Sequence, residues 1–335
     1  MRKETRRILR SSWQASLAAG LLLFGMSCYE AQQQSTTADT KKTQTNSNPR
    51  IVSYETKTPN TAEPTQTNDS AQTGGGAVRT LKLASRLMGR DMPYRVVVPN
   101  NYDTNSADKF AVVYLLHGLT GHFNDWTDRG NITQLATQHN LILVTPEGND
   151  GWYTDNPTIG NDRYESYIIQ ELIPEIDKAF RTFPDRDHRI IAGLSMGGYG
   201  AVKFGLKFPQ MFSLAGSFSG AFVTGKWSEQ VGGNKLIGKS LDTVFGALNS
   251  ETRKSNDVFN LVGNLSADTS KNLPYMYLSC GTEDVFIKTN RELTTTLKQK
   301  NIQHEFRPLP GIHDWNFWGK QIRDFLDLVD RRIKK

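Results

Sequence analysis

One serine sits in a setting suited to nucleophilic chemistry. Gly193-Leu194-Ser195-Met196-Gly197 puts a glycine two residues before Ser195 and another two residues after it. A serine hydroxyl is a weak nucleophile and has to be presented to a base. A sharp turn from strand into helix does this, and the G-x-S-x-G spacing is its signature. The flanking glycines remove Cβ atoms that would collide in so tight a turn. Because the turn opens a helix, the Met196 N–H lacks an intrahelical partner and points where an oxyanion would form. Taken alone, the motif also fits a glycine-rich turn carrying a solvated serine.

Two further stretches supply what Ser195 needs. Thr282-Glu283-Asp284 offers a carboxylate, and Gly311-Ile312-His313-Asp314-Trp315 offers an imidazole. In this scheme His313 takes the serine proton, while Asp284 fixes the imidazole tautomer and stabilises its charged form. Glu283 is an adjacent rival for the acid. Asp284 is preferred because its shorter side chain holds one distance with fewer rotamers to freeze. Glu283 is then an ordinary exposed loop carboxylate. The chain order nucleophile, acid, base is that of the α/β-hydrolase fold and differs from the orders in other serine hydrolases.

The elements around these residues agree with that placement. Ile190-Ile191 is β-branched and follows the polar run Asp185 to Arg189, so a strand leads into the turn; Ala201 to Phe208 has helical spacing after it. Leu81 to Met88 and Tyr94 to Val98 read as two antiparallel opening strands. Phe110 to Leu116 is a continuous apolar run, the pattern of a strand buried on both faces. It feeds His117-Gly118-Leu119, whose loop supplies the second oxyanion N–H, with Leu119 the candidate donor and His117 a structural histidine under the loop. Asn131 to His139 reads as helix and Leu141 to Thr145 as strand. Trp152 and Tyr153 follow at that strand's carboxyl end, as candidate substrate contacts or as caps on the core. Tyr164 to Phe180 is an amphipathic helix that Pro174 is expected to kink. Phe212 to Phe218, Tyr275 to Gly281 and His304 to Leu309 are further strands; Thr289 to Lys300 and Phe317 to Ile333 are helices. Strands alternating with helices predict a mostly parallel, doubly wound α/β sheet. The irregular segment 221–271 between two strands is an inserted cap.

The 335 residues carry a net charge of +6. Arg2, Lys3, Arg6, Arg7 and Arg10 supply most of it, so the rest is close to neutral and shows no basic stripe for nucleic acid. Residues 1–27 read as an export signal: a basic start, then an apolar run from Ala15 to Met26 that is short for a membrane span. Ser27-Cys28 at its end resembles a bacterial lipoprotein signal, with Cys28 acylated, although Gly25 stands where that pattern has an aliphatic residue. An ordinary signal peptide or an uncleaved anchor are the alternatives. Residues 28–77, rich in Gln, Thr, Ser and Asn, are too poor in apolar residues to offset chain entropy and are expected to be a disordered tether. Residues 78–335 form the catalytic domain. With Cys28 lipidated, Cys280 has no partner for a disulfide.

This chain resembles the esterase D-like α/β hydrolases, which include feruloyl and acetyl esterases, tributyrin esterases, S-formylglutathione hydrolases and mycolyltransferases. The resemblance rests on Leu115-Leu116-His117-Gly118-Leu119, Trp152-Tyr153, Glu165 with Tyr167, the stretch Gly193 to Ala201, Gly281 to Asp284, and Gly311 to Trp315. It implies that the triad falls on Ser195, Asp284 and His313, and that the oxyanion donors are the backbone N–H groups of Leu119 and Met196. It implies action on carboxylic esters without a metal or cofactor. The exported, tethered chain is most similar to members that remove acyl or feruloyl groups from polysaccharide. An acyltransferase would share the acyl-enzyme. A non-catalytic module binding glycans through Trp152, Tyr153, Trp227 and Trp315 is a third reading, one that does not require all three triad residues. Oligomeric state is not legible.

Overall fold

The computed structural model describes residues 67–68 and 76–333. The export signal, Cys28 and nearly all of the tether lie outside these residues. Nine strands form one sheet: β1 (Thr67–Asn68), β2 (Ala77–Ser85), β3 (Arg90–Val98), β4 (Ala111–Leu116), β5 (Leu141–Pro146), β6 (Arg189–Leu194), β7 (Leu214–Phe218), β8 (Tyr275–Gly281) and β9 (His304–Leu309). Their order is β1-β2-β3-β5-β4-β6-β7-β8-β9. The β2–β3 and β3–β5 pairs are antiparallel, and every pair from β5 to β9 is parallel. This is the α/β-hydrolase fold. One difference from the sequence reading is β1, which lies inside the expected tether. It pairs antiparallel with β2, Thr67 opposite Thr80, and so occupies backbone groups that an edge strand otherwise leaves open.

The parallel strands are covered on both faces. Val112, Tyr114 and Leu116 of β4 join one buried cluster, while Ala111, Val113 and Leu115 join the other. Helices α1 (Asp125–Arg129) and α2 (Ile132–His139) follow β4. After β5 come α3 (Tyr164–Tyr167) and α4 (Ile173–Ala179). Between those two the chain widens into a π-helical turn over Ile168–Leu172, and the Ile173 N–H donates to the Ile168 carbonyl. The widening lies just ahead of Pro174, where the sequence led us to expect a kink. Proline has no N–H to give, and a wider turn is one way for a helix to absorb that loss. Helix α5 (Met196–Lys207) leaves the serine turn.

The segment between β7 and β8 holds α6 (Lys235–Phe245), α7 (Glu251–Asn256), α8 (Val258–Gly263) and α9 (Ala267–Lys271). Side chains of Asn234, Ser250, Asp257 and Ser266 cap their amino ends. Arg253 pins this cap from within. Its buried guanidinium donates to the carbonyls of Gly246, Thr224 and Trp227 and pairs with Asp242. Helices α10 (Ile287–Gln299) and α11 (Trp315–Ile333) complete the chain. Strand order reverses between β4 and β6, where open α/β sheets form their crevice. The loop after β4 and the turn after β6 both end there.

Candidate active site

Ser195 stands between β6 and α5 with φ 53° and ψ −116°, a backbone conformation that few non-glycine residues adopt. The flanking glycines make it possible. A Cβ on Gly193 would come within 2.5 Å of the Gly197 carbonyl carbon, and one on Gly197 within 2.3 Å of the Leu116 oxygen. The Ser195 N–H donates to the Phe218 carbonyl, 2.9 Å away, which ties the turn to β7.

The three expected side chains meet. His313 Nε2 lies 3.0 Å from Ser195 Oγ, and His313 Nδ1 lies 2.9 Å from Asp284 Oδ2. Asp284 is buried, and its other oxygen accepts the Phe286 N–H at 2.8 Å. That bond leaves Oδ2 facing the imidazole. The ring of His313 is held edge-on by Phe286 at 5.1 Å and by Trp318 at 4.9 Å. With Asp284 fixing Nδ1–H, Nε2 is the basic atom presented to the serine.

Glu283 does not touch His313. Its Oε2 accepts the Gly311 N–H at 2.7 Å and its Oε1 accepts the Thr282 hydroxyl at 2.7 Å. Chiefly through the Gly311 N–H, and then through Thr282, its carboxyl is held below the usual carboxylate range. Glu283 was expected to be an ordinary loop carboxylate; it instead braces the turn that carries His313. Only the adjacency of two acids signalled it in the sequence.

Met196 is the first residue of α5, so its N–H has no partner in the helix. Leu119 lines a cavity of about 320 Å³ together with Gly118, Thr120, Ser195, His313, Trp315 and Trp318. Under that loop His117 is buried. Its Nδ1 donates to the Gly118 carbonyl at 2.8 Å, and its Nε2 accepts the Gly148 N–H at 2.9 Å. This is the structural role expected for it.

Trp152 and Tyr153 do not line this cavity: of the two expectations for them, substrate contact or cap on the core, the structure shows the second. Both have positive φ, 49° and 52°, and this backbone course turns both rings into the core. Trp152 Nε1 donates to Ser240 Oγ at 2.9 Å, and the Tyr153 hydroxyl to the His117 carbonyl at 2.9 Å. Trp315 does line the cavity. Trp227 packs at a tilt against Phe286, 5.6 Å between ring centroids, so it joins the cap to the loop beside Asp284. Two cavity-lining groups had no sequence signal: Asp125 and Arg129, on the short helix that follows the β4 loop.

A buried ion pair backs the site. Lys203 Nζ of α5 lies 2.8 Å from Glu165 Oε2 and donates to the Tyr153 carbonyl at 2.6 Å and to Thr154 Oγ1 at 2.7 Å. Burial pushes the Lys203 ammonium down to about 8, against the pull of Glu165. Burial alone would raise the Glu165 carboxyl, but Lys203 and Lys207 outweigh it and hold the group below its usual range.

A sheet that reverses strand order at a strained serine turn defines the class: an α/β hydrolase. Residues 85–327 match the family described as "Putative esterase", and the chain belongs to that esterase family. Over 264 residues it is 29% identical to the acetyl esterase of Caldicellulosiruptor saccharolyticus, spanning 76% of this chain and 98% of that one. A solved ferulic acid esterase superposes with TM-score 0.67 at 26% identity, covering 78% of this chain and 100% of that chain. FphF of Staphylococcus aureus, a fluorophosphonate-binding serine hydrolase, gives TM-score 0.67 at 25% identity over 77% of this chain and 99% of its own. The resemblance to esterase D-like enzymes therefore holds, and the protein is a serine-type carboxylic ester hydrolase.

Proposed function

We propose that this enzyme is an exported esterase that removes acyl or feruloyl groups from polysaccharide, using Ser195, His313 and Asp284. The observation that carries the mechanism is the unbroken line from Asp284 Oδ2 through both imidazole nitrogens to Ser195 Oγ, at 2.9 Å and 3.0 Å. His313 Nε2 takes the hydroxyl proton as Ser195 Oγ attacks the ester carbonyl. The backbone N–H groups of Leu119 and Met196 receive the oxyanion. His313 then returns the proton to the departing alcohol oxygen, leaving an acyl-serine. Water, deprotonated by His313, attacks that acyl group, and its collapse frees the acid and Ser195. Asp284 stays ionised and supports the imidazolium.

Two features support the substrate. An acetyl esterase and a ferulic acid esterase stand among the similar proteins. The first 27 residues read as an export signal, which suits an extracellular polymer. The test is a panel of nitrophenyl acetate, butyrate and octanoate, methyl ferulate, and acetylated xylo-oligosaccharide, assayed for released acid. The expected result is turnover of the acetyl esters or of the ferulate, and of the saccharide ester. Folded protein that cleaves nitrophenyl esters but no saccharide ester overturns the polysaccharide assignment alone.

A further inference from the structure

The catalytic cavity has a polar wall with unspent hydrogen-bonding groups. Asp125, Arg129 and Asp314 line it, beside Ser195 and His313. Arg129 ends α1 and is exposed, with its guanidinium over the Trp315 ring, 5.0 Å from the centroid. Within the described structure this guanidinium makes no hydrogen bond and no ion pair. Its planar fork of five N–H donors is therefore free. The support beneath it is rigid. Trp126 and Trp318 meet Trp315 edge-on at 5.2 Å and 5.5 Å, and the Trp126 indole N–H is anchored on the Leu116 carbonyl.

The carboxylates nearby keep accepting capacity. Asp125 takes a long bond, 3.4 Å, from the His122 N–H. Asp314 takes the Phe317 N–H on Oδ1 at 3.0 Å and the Asn316 amide on Oδ2 at 3.3 Å. An ionised carboxylate has about four lone-pair sites, so neither group is saturated.

The position of this wall says which part of the ester meets it. His313 hands its proton to the leaving oxygen, so the alcohol lies against His313. Asp314 and Trp315 are the next two residues in the chain and line the same cavity. Charge says what the alcohol carries. Two carboxylates share the cavity with one guanidinium, so a second anion would gain from Arg129 and be repelled by Asp125 and Asp314. A hydroxyl both donates and accepts, and it fits a donor fork flanked by acceptors.

We propose that Asp125, Arg129 and Asp314 form a site for the hydroxyl groups of a neutral saccharide on the leaving-group side, with Arg129 as its main donor. This rests on the carbohydrate-ester reading above. Because the guanidinium is solvent-exposed, its worth is that of one charge-assisted hydrogen bond and no more.

The test compares kcat/KM for acetylated neutral xylo-oligosaccharide with that for nitrophenyl acetate, in the full-length wild type, Arg129→Met and Arg129→Lys. The ratio of saccharide to nitrophenyl kcat/KM is expected to fall by about tenfold in Arg129→Met, mainly through KM, with part of the loss restored in Arg129→Lys. Equal losses on both esters would overturn the proposal, since they would show Arg129 acting only by supporting Trp315. So would an unchanged ratio. A loss confined to a uronate-bearing saccharide ester would overturn it in favour of an anion site. Wild type that cleaves nitrophenyl acetate but no saccharide ester would sink the carbohydrate reading itself, a failure visible before any variant is made.

Discussion

At the scale of single residues, Asp284 and Glu283 are adjacent carboxylates with different tasks. Asp284 is buried against His313, while Glu283 holds the Gly311 turn from the exposed side. Asp284→Asn would offer an amide to Nδ1, favour the wrong tautomer and remove the charge that supports imidazolium. A loss of about ten-thousand-fold in turnover is expected, the size seen for the same change in another triad. Glu283→Gln keeps a carbonyl oxygen for the Gly311 N–H, so its loss is expected to stay below about tenfold. Turnover of one simple ester by both folded variants checks this; the reverse ranking would move the acid to Glu283. The meeting of Ser195, His313 and Asp284 was legible because the three residue types sit at strand ends in one chain order. Arg129 and Asp125 were not, because they reach the cavity through the packing of α1 and belong to no local pattern. Trp152 and Tyr153 were left between cleft and core for a related reason: their direction is set by positive φ, which the residue types do not announce.

At the scale of elements, the parallel strands were legible almost to the residue. Tyr275–Gly281 and His304–Leu309 are bounded in the structure as their patterns suggest. Apolar runs and their turn residues are local signals. The π-helical turn and β1 were not legible, since the first answers to a missing proline N–H and the second to the open edge of β2, which residue types in the tether do not announce. Equally hidden was the Lys203–Glu165 pair, which joins α5 to α3 and to the loop carrying Tyr153 and Thr154. Removing one partner strands a buried ammonium. Glu165→Gln is expected to lower stability by about 3 kcal/mol, the low end for breaking a buried pair because Glu165 is slightly exposed. The sign with pH follows from the direction of the shift. The folded Glu165 carboxyl is held below its ordinary value, so its contribution is full above 4.5 and is lost as pH falls through the folded value. Denaturant unfolding of both proteins across pH is the check. The gap between them should close in acid as Glu165 protonates, and narrow again as pH rises through about 8, where Lys203 gives up its proton; a gap that widens in acid would refute the pairing.

At the scale of the whole molecule, the amino-terminal segment and the catalytic domain are read as separable. No helix among the described residues is long and apolar enough to cross a membrane. If Cys28 carries lipid, Cys28→Ser should leave the membrane fraction without losing ester turnover, because about forty residues of polar chain lie between Cys28 and β1. Unchanged retention of Cys28→Ser, measured by fractionation and immunoblot, would point to an uncleaved apolar anchor instead. The loops at the sheet's crevice converge on one atom, Ser195 Oγ, held by the strained turn and faced by His313 at 3.0 Å. The most direct measurement is peptide mapping by mass spectrometry after treatment with a fluorophosphonate, which phosphonylates an activated serine and releases fluoride. The expected result is a single adduct on the peptide containing Ser195. Ser195→Ala should remain folded, take up no label and lose several orders of magnitude in ester turnover. An adduct on another residue, or near-normal turnover by folded Ser195→Ala, would contradict the account.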